Sequence, residues 1–168
     1  MTKKIKIHSQ GATIEGEDDV DLDVFFHDAS KLGLKTEATV QKAMGRRNNK
    51  EGLIELPQTA LVASLKGKGA ICAFLYPRLK SEAVPKISWF ANGAGIQIET
   101  TAGVDYVFLN NSELDGKSPD GKAGFKTHVG SIQLRKNGGH LNLGASGKIT
   151  YGTHVLEGAK ASSRSVPR

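Results

Sequence analysis

The chain has 168 residues and a mass of 17.9 kDa, the size of one ordinary domain. Hydrophobic residues make up 38% and charged residues 24%, with 20 Gly and 5 Pro, a composition that sets aside both disorder and collagen. No run approaches the roughly 18 apolar residues of a membrane helix, and the opening MTKKIKIHSQ lacks the apolar stretch of a secretory leader, so no bilayer-spanning segment and no membrane partner are expected. The single cysteine, Cys72, leaves no intramolecular disulfide and no cysteine-based zinc cluster; its place inside AICAFLY predicts a buried thiol.

The formal charge of +6 is unevenly spread: residues 1–30 hold 3 basic and 7 acidic side chains, a balance of −4, whereas residues 31–168 hold 20 and 10, a balance of +10. A surface of that sign attracts polyanions, with acidic polysaccharide, nucleic acid and anionic membrane as the classes to separate.

In chain order, period-two alternation is the dominant pattern. It begins at Ile5 and Ile7 and continues through VDLDVFF (20–26), where Val20, Leu22, Val24 and Phe26 are expected to face the core and Asp19, Asp21 and Asp23 the solvent. Further strands are predicted at 53–56, 59–65, 70–76, 86–90, 95–100, 104–109, 130–135, 140–143 and 148–151, about eleven in all. Turn residues separate them at Gly67–Gly69, Asn92–Gly95, Pro119–Gly121, Asn137–Gly139 and Gly144–Gly147. Only EATVQKAMGRR (37–47) has helical propensity, without an amphipathic stripe or a cap. The expected fold is therefore all-β: a single antiparallel, jelly-roll-like β-sandwich over residues 1–160 with little or no helix. Residues 161–168 are expected to be a flexible tail, ending in Val166-Pro167-Arg168, which looks like what thrombin-type cleavage of a tag leaves behind.

The densest basic segment is GRRNNKEG. There Arg46, Arg47 and Lys50 can grip sulfate or carboxylate while Asn48 and Asn49 bond sugar hydroxyls; the plain alternative is a hydrated hairpin tip. Lys66 and Lys68 flank Gly67, Arg78 and Lys80 follow the FLYP strand, and Arg135 and Lys136 precede the Asn137-Gly138-Gly139 turn. Each pair is a candidate ligand contact, and each is equally explained as charge that keeps strand edges apart. Exposed aromatic rings stack on sugar faces. Trp89 shares a strand face with Ile87 and is assigned to packing, whereas Tyr76 and Tyr151, at strand ends, are the better platforms. With only ten aromatics in the chain, charge outweighs stacking, which favours a polyanion over a neutral glucan.

The carboxylates Asp19, Asp21 and Asp23 form a candidate calcium site without matching an EF-hand loop; otherwise no cofactor is expected. The five histidines show no HxH or HExxH spacing. His128 and Tyr151 are candidates for an acid/base pair, with Arg135 neutralising a uronate carboxylate, should the chain be catalytic.

Three segments, VDLDVFF (20–26), FLYPRLKSEAVPKI (74–87) and the run from VDYVFLNNSELDGKS through KITYGTHVL (104–156), resemble in content and order the C-terminal all-β region of heparinase II/III-like polysaccharide lyases and related glycosaminoglycan and alginate lyases. In that family the catalytic groups lie largely on a helical toroid, and this chain has no helical repeat, so the resemblance implies an accessory module and carries over no catalytic residue. The expectation is a non-catalytic carbohydrate-binding module for acidic polysaccharide (chondroitin sulfate, hyaluronan, heparin or alginate), partnered with the catalytic domain of a parent lyase, secreted or periplasmic, and not binding nucleic acid. The alternatives are a small lyase acting by β-elimination and a purely structural bracing domain.

Overall fold

The computed structural model describes residues 4–47 and 50–167, with side chains described for all of these except residues 43, 46, 47, 50, 51 and 111–114. The fold is all-β and sandwich-like as expected, its strands paired antiparallel, and among the described residues helix is confined to single 3-10 turns at Ala29–Lys31 and Ala91–Gly93. Among the described residues, no helix is long and apolar enough to cross a membrane. Where one module over 1–160 is expected, the chain divides into two compact units, Met1–Glu82 and Ala83–Arg168.

The first unit contains β1 (Ile5–His8), β2 (Gly11–Ile14), β3 (Val20–Phe26), β4 (Leu32–Arg47), β5 (Lys50–Leu65) and β6 (Ala73–Leu79). Four of them form a sheet in the order β1-β2-β3-β6, with Ala12, Val24, Phe25 and Phe26 buried. The expected direction of β3 is reversed in its first half: Asp21 and Asp23 are 8% and 0% exposed, whereas Val20 is 44% exposed. The cause lies on β6. Asp21 stands directly opposite Arg78, so the two side chains share a face, and one buried guanidinium gives both carboxylates a counter-charge.

The segment 37–47, read as the only helical candidate, is instead part of β4, a 16-residue strand paired along its whole length with the 16-residue β5. The cross-strand register explains the choice. Leu34, Ala38, Val40 and Met44 line up opposite Ala63, Thr59, Pro57 and Leu53, one largely apolar row that an extended ribbon collects and a helix would scatter. Pro57, lacking an N–H, interrupts the predicted strands 53–56 and 59–65 without separating them, because a two-stranded ribbon has free outer edges. Strand β6 starts at Ala73 rather than at residue 70, which leaves Cys72 outside it and half-buried rather than in the core.

The second unit contains β7 (Lys86–Phe90), β8 (Gly95–Thr100), β9 (Gly103–Lys117), β10 (Ala123–Arg135), β11 (Gly138–Leu143), β12 (Gly147–Tyr151), β13 (His154–Gly158) and β14 (Ser162–Val166). The main sheet runs β13-β12-β10-β9-β8-β7. Strand β10 is divided: Ala123–Thr127 pairs with β12 and Gly130–Arg135 with β11, while β9 pairs along its other edge across a bulge between Thr127 and Val129. Inside the curl sit Phe90, Tyr106, Phe108, Phe125, Ile132, Leu141, Leu143, Ile149, Leu156 and Val166. Phe108 and Phe125 stack with centroids 5.2 Å apart.

The expected flexible tail is not one. Residues Ser162–Val166 form β14, paired with β11, and Val166 is 5% exposed in the core of this unit. Val166 fills space against Gly139, its register partner, where any Cβ on the glycine would lie 3.3 Å from a Val166 methyl. Residues 162–166 are thus a structural strand.

Candidate functional site

The residues singled out from the sequence fall on several elements. Arg46 and Arg47 end β4 and Lys50 begins β5, but their side chains, and all of Asn48 and Asn49, lie outside the described residues. Lys66 and Lys68 occupy the exposed turn after β5. Lys80 is exposed, and its Nζ donates to the Gly16 carbonyl at 2.9 Å. Tyr76 is half-buried beside Phe74, ring centroids 6.1 Å apart.

Arg78 is not available to a ligand. Its Nε donates to Asp23 Oδ2 at 2.5 Å, one terminal nitrogen lies 3.6 Å from Asp21 Oδ2, and another donates to the carbonyls of Leu79 and Glu82 at 3.3 and 3.2 Å. Asp23 also accepts from the Thr13 hydroxyl at 2.6 Å. These contacts remove Asp21 and Asp23 from the solvent-facing carboxylate row expected of a calcium site, leaving Asp19 exposed. No group of three or more His, Cys, Asp and Glu among the described residues is placed to hold a metal.

Arg135 is likewise engaged. Its guanidinium forks onto Asp105 at 2.6 and 2.9 Å and donates to its neighbour's carbonyl, Leu134 O, at 2.8 Å. Lys136 follows it and is exposed. Arg135 and Tyr151 line one cavity of about 290 Å³ together with His154, Gly139 and Val166. The cavity is lined by His154 and not by His128, so of the expected trio of His128, Tyr151 and Arg135 it holds the last two.

A more coherent set of cations lies on the outward face of β9, β10, β12 and β13. Strand β10 sends Phe125 and Thr127 inward, so Gly124 and Lys126 point outward; β12 buries Ile149 and so presents Lys148 and Thr150. The register then builds two adjacent rows. One is Asp115, Lys126, Lys148 and Glu157; the other is Lys117, Gly124 and Thr150. They border a groove of about 510 Å³, which adjoins a second hollow of about 590 Å³ through Lys126 and Lys148. Gly124 keeps the floor low: a Cβ there would lie 2.6 Å from the Thr150 hydroxyl.

Lys148 is paired with Glu157 at 3.1 Å, an exposed pair that water screens. Neither Lys117 nor Lys126 has a carboxylate partner among the described residues. The groove thus offers two uncommitted ammonium groups, a third loosely held, a hydroxyl and two acceptor carboxylates.

The turn that sets Lys117 opposite Gly124 is held by a small, partly buried network. Asp120 accepts from the Tyr106 hydroxyl at 2.7 Å, the Ser118 hydroxyl at 2.6 Å and the Lys122 N–H at 3.1 Å. Burial, reinforced by the bond to Asp120, pushes the Tyr106 hydroxyl far above the usual tyrosine range. Partial burial pulls the Asp120 carboxyl upward, but the bonds from Ser118, Tyr106 and Lys122 outweigh it and hold the group below the ordinary aspartate value.

Lys117, Lys126 and Lys148 were not among the residues singled out from the sequence. Alternation in GFKTH and KITY already shows Lys126 and Lys148 facing outward, but only the pairing of two strands 22 residues apart shows that they are neighbours. No protein-family model, curated protein or solved structure matches the chain.

Proposed function

We propose that the chain is a non-catalytic module that binds acidic polysaccharide, of glycosaminoglycan or alginate type, along the outward groove of its second unit. The observation that carries this reading is the convergence of Lys117, Lys126 and Lys148 from three strands onto one groove with a glycine floor. A repeating uronate or sulfated chain presents anions at regular intervals and hydroxyls between them. Ammonium groups take the former, while Thr150, Asp115 and Glu157 take the latter. The second unit holds ten basic and six acidic side chains, a balance of +4 that draws such a chain in. The order of motifs over residues 20–156 that resembles the all-β region of polysaccharide lyases supports the same ligand class and an accessory role beside a catalytic domain, in a compartment where such polymers occur.

Calorimetric titration with chondroitin sulfate, hyaluronan, heparin and alginate at two ionic strengths tests it. Binding to at least one polymer, weakening with salt, is expected; no binding to any of them at low salt would remove the proposal.

A second reading is favoured by one observation: Tyr151 and His154 line a single cavity, the residue types a uronate β-elimination needs for base and acid, although the Arg135 beside them is already paired with Asp105. Elimination creates a conjugated double bond, so ultraviolet absorbance rising during incubation with any of the four polymers would support it, and a flat trace would dismiss it.

A further inference from the structure

The hairpin of β4 and β5 is the longest element of the chain, and it displays an apolar face that the fold leaves uncovered. Side chains directly opposite one another share a face, so one side of the ribbon carries Leu34, Ala38, Val40, Met44, Leu53, Pro57, Leu61 and Ala63. The other carries Lys35, Glu37, Thr39, Gln41, Gln58 and Ser64, with Ile54, Leu56 and Val62 among them. Toward the tip, the apolar face is bare: Val40 is 55% exposed, Met44 74% and Leu53 71%. An isolated two-stranded hairpin is marginal in water, and a row of large exposed side chains on one of its faces marks an interaction surface.

We infer that this face is covered by the same face of a second copy of the chain, two ribbons packing about a twofold axis. One property favours a copy over another occupant. Of the described side chains on the face, only Lys42 and Glu55 are charged, and they stand opposite each other, 3.7 Å apart. The face is therefore electrically neutral and its charges are self-complementary: an antiparallel twofold places each copy's Lys42 toward the other's Glu55, whereas a polyanion or a polycation gains nothing there. The area sets the strength: sixteen residues extend about 50 Å and a two-stranded ribbon is about 10 Å across, so a pair of faces buries at most about 1,000 Å², less where Leu34, Leu61 and Ala63 near the base are already half-buried. The resulting dimer is a weak one, populated at micromolar concentration. It does not depend on the glycan reading, because the groove lysines lie on other strands.

Sedimentation velocity of the full chain over a concentration series tests it, with hydrogen exchange of residues 38–57 followed over the same series. The expected result is a reversible dimer, with exchange in the ribbon slowing as the dimer forms. Met44→Asp with Leu53→Asp, both side chains being exposed and free to change without disturbing the core, weakens the dimer at least tenfold, while Thr39→Asp on the opposite face leaves it unchanged. Circular dichroism of the variants confirms that the fold is retained. A monomer at every concentration, or a dimer that survives the paired aspartates, would overturn the inference. Binding of the ribbon face to a different protein by a chain that stays monomeric counts against it equally.

Discussion

Arg78 donates from Nε to Asp23 Oδ2 across 2.5 Å, and Asp23 is wholly shielded from solvent. A buried ion pair is costly to form and more costly to break, because removing one partner strands the other charge. Asp23→Ala is therefore expected to destabilise the first unit by about 3–5 kcal/mol, read from denaturant melts. Replacing Asp21, Asp23 and Arg78 together by leucine, leucine and methionine recovers most of the loss. If the triple variant is as unstable as the single one, the ion pairs contribute net stability of their own.

Charge reversal at Lys126 should act on the ligand and not on the fold. Hydrogen bonds to charged groups contribute about 1.5–3 kcal/mol, so Lys126→Glu is expected to lower polysaccharide affinity at least tenfold with an unchanged melting temperature. Lys66→Glu, in a turn of the first unit, leaves affinity within twofold. Equal losses for both variants would indicate diffuse attraction with no groove.

Val166 links the end of the chain to the core of the second unit. Val166→Ala removes two carbons from a buried site, an expected cost of about 1.5 kcal/mol at roughly 0.8 kcal/mol each. Deleting residues 162–168 also strips β11 of its outer partner and should lower the melting temperature further. An unaffected deletion variant would restore the flexible-tail expectation.

Stability of the second unit should fall at both ends of the pH scale, by different groups. The Asp120 carboxyl is depressed in the fold, so its contribution is present above the unfolded value near 3.8 and is lost as pH drops through the lower folded value. Tyr106 is raised, so its contribution is complete below the ordinary tyrosine value of 10.0 and is lost as pH climbs beyond it, where the unfolded chain ionises first. Melting temperatures across pH should show the acid slope reduced in Asp120→Asn and the alkaline slope reduced in Tyr106→Phe. Slopes identical to those of the parent chain in both variants would assign the pH dependence elsewhere.

The second unit was largely legible in the sequence, because its inward positions are apolar and its turns are marked by glycine. KISWF and GIQIET are strands at their expected limits, whereas VDYVFL opens a strand that runs eight residues past residue 109, to Lys117, and the first half of β10, β13 and β14 were not anticipated. The first unit was harder. At VDLDVFF the alternation was read correctly as a strand but turned the wrong way, because Arg78, 55 residues beyond Asp23, reverses the rule that carboxylates face water. At 37–47, helix-favouring Glu, Ala, Gln and Lys concealed a strand whose pattern shows only beside its partner. The groove was invisible for the same reason: single lysines look alike in a sequence, and cross-strand register alone separates those that meet from those that do not.

The division of β10 between β12 and β11 bears on how the second unit comes apart. Its first five residues and its last six hold different neighbours, yet they are one continuous backbone bordered on the opposite side by β9. Both neighbours feed one buried cluster, Ile149 from β12 and Leu141 and Leu143 from β11 beside Phe108 and Phe125, so the two halves are expected to melt together. Amide protons along this shared spine should be the slowest in the unit to exchange and should do so through a single opening event, making it the last part surrendered to heat or protease.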